Sequence, residues 1–130
     1  MKGRMMEKIQ EEIQRKLDEY KTVQKDFHKA VSQRSQLEGQ LNENTAVKTE
    51  LDLLKKDAEV YKMIGPVLVK QDLEEAKQNV AKRMDYIRGE LKRADDTLAS
   101  LEKQQESHRA ALTKLQQQFQ QAQMKMAKKP

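Results

Sequence analysis

The sequence predicts an all-α-dominated chain in which two long coiled-coil helices fold back antiparallel on each other, with one β-hairpin at the turn. Three observations predict it. Hydrophobic and charged residues each make up 36% of the 130 residues and aromatics only 4%, too few large apolar side chains for the core of an ordinary globular enzyme. Leu, Ile, Val and Met nevertheless recur at heptad spacing through two long segments, an order that a disordered chain lacks. Between those segments the spacing disappears in a β-branched stretch divided by Gly65-Pro66, a turn signal.

The first helix is expected over residues 5–54. With heptad a at Met6, Ile13, Tyr20, Phe27, Arg34, Leu41 and Lys48, the d positions become Ile9, Lys16, Val23, Ala30, Leu37, Asn44 and Leu51. Ten of these fourteen sites are apolar, dense enough to define a seam, and Leu17 and Val31 widen it on the e side. Gly39 falls at an outer f position, where it costs only helix propensity, about 1 kcal/mol relative to Ala. Arg34, Asn44 and Lys48 read as polar seam residues that help set register at a cost in stability.

The β-hairpin is expected within residues 58–71, as the runs Val60–Ile64 and Val67–Gln71. Gly65 permits positive φ and Pro66 fixes φ near −65°, so the pair turns the chain. Tyr61 and Met63 line one face and Val60 and Ile64 the other, while Val67 and Val69 oppose Leu68. Strands that are apolar on both faces are usually covered on both, and an isolated two-stranded ribbon is marginal in water. Its free edges also invite pairing with other strands. Val60, Tyr61, Met63, Ile64, Gly65, Pro66, Val67, Leu68 and Val69 therefore form a candidate oligomerisation module. Folding back onto the helix ends is the weaker reading, because those ends are polar at Lys55, Lys56 and Asp57.

The second helix is expected over 72–126, opened by Asp72 with Glu75 three residues on, a capping-box start. Alternating steps of four and three give Val80, Met84, Ile87, Leu91, Ala94, Leu98, Leu101, Gln105, His108, Leu112, Leu115, Phe119, Ala122 and Met126, with only Gln105 and His108 polar. A strict repeat sustained this long implies a supercoil around a partner helix, because the seam would rotate away on a straight one. At about 1.5 Å per residue each helix is roughly 75–80 Å long.

Folding back about the turn pairs residue i with 131 − i, so Leu51 meets Val80, Leu37 meets Ala94, and Met6 meets residues 124–126. The chain reads as one domain, 1–130. This pairing brings both termini to one tip, and the net charge of +5 belongs wholly to them: residues 1–8 carry +2 and residues 121–130, including the 127–130 basic tail, carry +3. The tip also gathers Met5, Met6, Ile9, Leu115, Phe119, Met124 and Met126. Methionine is flexible and polarisable, and Met-rich surfaces fit irregular apolar partners. Ordinary heptad core followed by a loose tail explains the same residues.

Catalytic, metal and cofactor constellations are missing. The chain has no Cys, and therefore no disulfide, Cys-zinc or thiol redox site. His28 lies at an outward b position, and His108 lies in the seam opposite Val23, which offers neither metal ligand nor general-base partner. No Gly-rich phosphate loop occurs. Apolar runs are too short for a membrane span or a signal peptide, so the default compartment is cytoplasmic (or nuclear). A basic zipper would need a dense Lys/Arg block before a heptad run; here bases alternate with acids, which argues against specific nucleic-acid binding.

Ile64-Gly-Pro-Val-Leu-Val-Lys-Gln71 between two equal heptad segments, with Gln40-Leu-Asn-Glu-Asn44 before it and Lys82-Arg-Met-Asp-Tyr-Ile87 after it, resembles the β-type subunits of prefoldin, most of all the eukaryotic subunit six. The likeness covers nearly the whole chain. It implies a prefoldin-like fold and an ATP-independent co-chaperone that binds no cofactor and no membrane. It also implies assembly through the hairpin with α-type and β-type prefoldin subunits into a heterohexamer. The coiled-coil tips would hold non-native client proteins of the actin and tubulin kind for transfer to a cytosolic chaperonin. The alternatives from other classes are a structural coiled-coil scaffold or tether and a basic nucleic-acid-associated protein.

Overall fold

In the computed structural model, helix α1 (Lys2–Leu53), strands β1 (Val60–Ile64) and β2 (Val67–Gln71) and helix α2 (Leu73–Ala127) follow one another along the chain. Residues 2–128 are described; Lys129 and Pro130 of the expected basic tail, and the Lys2 side chain, lie outside the described residues.

Local chemistry explains where the helices stop. The last turn of α1 tightens as the Leu54 N–H donates to the Leu51 carbonyl at 3.2 Å. At the start of α2 the Glu75 N–H donates to Asp72 Oδ2 at 3.2 Å, satisfying one of the donors that a helix N-terminus leaves free. Glu74 and Glu75 add negative charge to that first turn, where the helix dipole favours it.

The chain forms two compact units, one of Ser32–Asp95 and one of the residues up to Val31 with those from Asp96 on. In the Ser32–Asp95 unit, the second part of α1 packs antiparallel on the first part of α2. Leu51, Leu73, Ala76, Val80 and Met84 make its core, with Leu41 and Val60 packed against them. In the other unit, Val23 and Ala30 are buried on the α1 side, and the polar side chains of Glu19 and Tyr20 reach His108 and Arg109 of α2. Every a and d position assigned to α1 is buried or half-buried, as are those of α2 except Met126. Val31 departs from expectation and is exposed, because a two-helix seam encloses a and d and leaves much of e in water.

Polar contacts across the seam correct the pairing in detail. Tyr20, Arg34 and Asp52 meet Arg109, Asp95 and Lys77, each two positions short of Ala111, Thr97 and Asn79 expected from 131 − i. Long polar side chains can reach along the seam, so their partners need not sit at the mirrored positions. Of the polar seam residues, Arg34 acts across the helices, on Asp95 as well as on Glu38 of its own helix. Asn44 instead donates to the Gln40 carbonyl and Lys48 to Asp52, both within α1.

The strands pair antiparallel, Val60 with Gln71, Tyr61 with Lys70, Lys62 with Val69, Met63 with Leu68 and Ile64 with Val67. Gly65 has φ of 60° and is followed by Pro, a pattern that fits the type II′ two-residue turn and excludes type I′, which needs positive φ at both positions. Replacing Gly65 with Ala should cost about 1–3 kcal/mol of local strain, enough to melt a ribbon that is marginal alone. Hydrogen exchange of the β1 and β2 amides in the free chain should accelerate while the helical amides are unchanged; equal protection in the variant would show that the turn tolerates a side chain.

Candidate functional site

Two surfaces concentrate apolar side chains outside the cores. The first is the hairpin. Because side chains alternate along a strand, the register puts Val60, Lys62, Ile64, Val67, Val69 and Gln71 on one face and Tyr61, Met63, Leu68 and Lys70 on the other. Val60 and Gln71 are half-buried, while Tyr61, Met63, Ile64, Val67, Leu68 and Val69 are all exposed, Met63 by 71%. The structure thus brings every hairpin residue singled out in the sequence onto one ribbon and leaves most of them in water.

The backbone of the ribbon is also incomplete. In a two-residue hairpin the closing pair, here Ile64 with Val67, is hydrogen-bonded, and bonded and non-bonded pairs then alternate. Tyr61 and Met63 on β1, and Leu68 and Lys70 on β2, therefore turn their N–H and C=O groups outward. Among the described residues the sheet has these two strands and no others, so both edges present an unpaired donor–acceptor ladder. At the base of the second face, the Tyr61 hydroxyl donates to Glu59 at 2.9 Å and Lys70 Nζ stands 3.8 Å from the same carboxylate.

The second surface lies where α1 begins and α2 ends. Met5 and Ile9 of α1 and Ala122 of α2 line a crevice of about 410 Å³ edged by Lys8, Glu12, Gln118, Gln121 and Lys125. The seven residues singled out for this surface divide into two groups. Met5, Met124 and Met126 are exposed; Met6, Ile9, Leu115 and Phe119 are half-buried in the seam. The sequence marks Ala122 only as a seam site, and Gln118 and Gln121 belong to the Gln-rich stretch Gln116–Gln123, which fits client surface and loose tail alike. The small side chain of Ala122 at a seam position is the signal that marks such an opening.

Farther along the same unit His108 is corrected. Its Nδ1 lies 3.6 Å from Glu19 Oε2, and Lys16 Nζ reaches that oxygen at 3.2 Å, so His108 has a carboxylate partner rather than facing Val23 alone. Next to it Arg109 Nη2 donates to the Tyr20 hydroxyl at 3.2 Å. That bond, then the nearby Glu106 carboxylate, raises the Arg109 guanidinium pKa above its ordinary value; Asp95, then Glu38, does the same for Arg34. These arginines are charged at any physiological pH, so both shifts describe seam geometry rather than chemistry. Among the described residues no cluster of His, Cys, Asp and Glu could hold a metal ion, and no helix is long and apolar enough to cross a membrane.

Comparison with known proteins decides the family. The pattern of the family described as prefoldin subunit matches residues 14–122. The chain belongs to the prefoldin family. It is 48% identical to prefoldin subunit 6 of Homo sapiens over 126 residues, covering 97% of this chain and 98% of that one. With prefoldin subunit 6 of Arabidopsis thaliana it shares 48% over 120 residues, 92% of this chain and 93% of the relative. The crystal structure of the prefoldin beta subunit from Thermococcus strain KS-1 shares the fold, with a TM-score of 0.55 at 24% identity over 85% of this chain and 91% of that one. Prefoldin membership carries a co-chaperone role, and it accounts for two long helices joined by an apolar ribbon.

Proposed function

We propose that this prefoldin chain is an ATP-independent co-chaperone subunit acting as one domain, whose hairpin joins it to α-type and β-type prefoldin subunits in a heterohexamer. The methionine-rich helix end holds non-native cytoplasmic proteins, of the actin and tubulin kind, for transfer to a chaperonin. One observation carries the reading: six exposed apolar residues on both faces of a two-stranded ribbon with both edges free. Burying such side chains is worth about 1.5–3 kcal/mol each, a gain that the free chain forgoes and a shared sheet recovers. The family match across 14–122 supports the single-domain reading. Exposed Met5, Met124 and Met126 beside an open crevice support client contact at the helix end.

The test is aggregation of a denatured substrate, followed by light scattering with and without the complex assembled around this chain. Near-complete suppression at stoichiometric amounts is expected, with no added nucleotide. Normal aggregation in its presence would leave the scaffold or tether reading, in which hairpin and heptads only join partners.

A further inference from the structure

Beneath the hairpin, in the Ser32–Asp95 unit, lies a crevice of about 420 Å³ that adjoins the assembly module, with Val60, Tyr61 and Met63 among its lining. Its apolar floor includes Leu51, Val60 and Val80, and its walls carry two cations, Lys62 from β1 and Arg83 from α2. No carboxylate lines it. Among the described residues neither Lys62 nor Arg83 has a carboxylate within ion-pair distance, whereas several neighbouring cations do. Lys70 on the opposite face of the ribbon shares Glu59, Lys77 lies between Asp52 and Glu74, and Arg88 and Arg93 pair along α2. Lys62 also sits in the middle of the more β-branched face, directly across from Val69 and two residues from Ile64. Any strand layer covering that face has to accommodate its charge.

We infer that this crevice is a docking site for an apolar segment carrying a carboxylate, contributed by a different prefoldin subunit, and that Lys62 and Arg83 thereby select the partner. The inference rests on the hairpin being the assembly module and adds the chemistry of the neighbour. Desolvating two cations without a counter-charge is costly, so an acidic partner is favoured and a neutral or basic one rejected. A second copy of this chain meets that penalty: a self-complementary contact sets each subunit's patch against the same patch on the other, and this patch holds cations alone. Charge complementarity therefore favours a hetero-oligomeric neighbour over self-assembly.

The test is competitive reconstitution. Equal amounts of wild-type chain and a mass-tagged Lys62→Glu/Arg83→Glu variant are mixed with the other prefoldin subunits, and the assembled complex is read by native mass spectrometry. Both positions are exposed in the free chain, so circular dichroism of the variant should match wild type. The reversal should be depleted from the complex roughly tenfold or more, and Lys62→Met less so. Equal incorporation of the double reversal overturns the inference, provided a Val67→Asp/Val69→Asp control is excluded. Incorporation of that control overturns the assembly reading and this inference with it. Dimerisation of the wild-type chain alone, abolished by the double reversal, would make a second copy the occupant and also overturn it.

Discussion

Val67→Asp/Val69→Asp should abolish incorporation into the complex while leaving the free chain folded. Both side chains are exposed in the free chain, so the substitution removes no core contact from this subunit, and the helical circular dichroism signal should be unchanged. In a shared sheet the same positions would be covered, and two unpaired carboxylates would enter an apolar layer. Burying a charge without a partner is among the most destabilising single changes a protein meets, so affinity should fall by roughly 100-fold or more. Size exclusion with light scattering would show the variant leaving the complex peak. A variant that assembles like wild type would show that the ribbon is not the joint.

The second large effect concerns holding rather than assembly. Met5→Gln/Met124→Gln/Met126→Gln removes exposed apolar side chains and keeps their length and helix propensity. Full burial of a methionine is worth about 1.5–3 kcal/mol, and a client would cover each only in part, so the three together should raise the complex concentration needed to suppress aggregation by about tenfold. In the proposed complex several such helix ends would act together, so weak single contacts would multiply and the loss per chain would be amplified when every end is altered. The mass of the complex should stay that of wild type. Unchanged suppression would return these residues to the reading of ordinary coiled-coil termini. Lost assembly would overturn the division of labour between hairpin and helix end.

Both effects rest on features that differ in how far the sequence discloses them. The hairpin strands, their two-residue turn and the role of Gly65 are legible from Val60–Gln71, because strand alternation and the conformational demands of Gly-Pro act over a few neighbouring residues. The assignment of a and d sites is legible for the same reason, since heptad periodicity is written along one helix. The methionine-rich end was only partly legible. The sequence places its residues near the start of α1 and the end of α2, but the division between exposed Met5, Met124 and Met126 and half-buried Met6, Ile9, Leu115 and Phe119 depends on how the two helices turn toward each other.

What the sequence by itself determined is the element order, the seam and an apolar ribbon without a cover, all consequences of short-range spacing. Tertiary structure alone decided which polar groups meet. Arg34 with Asp95, Tyr20 with Arg109 and His108 with Glu19 are separated by 61 to 89 residues, and their pairing depends on how the two helices face each other across the seam. Lys62 and Arg83 look ordinary in the sequence, one base among many in a chain of alternating charge. Only folding sets them in one crevice without a carboxylate, because what a charge can pair with is fixed by distance in space and not by distance along the chain.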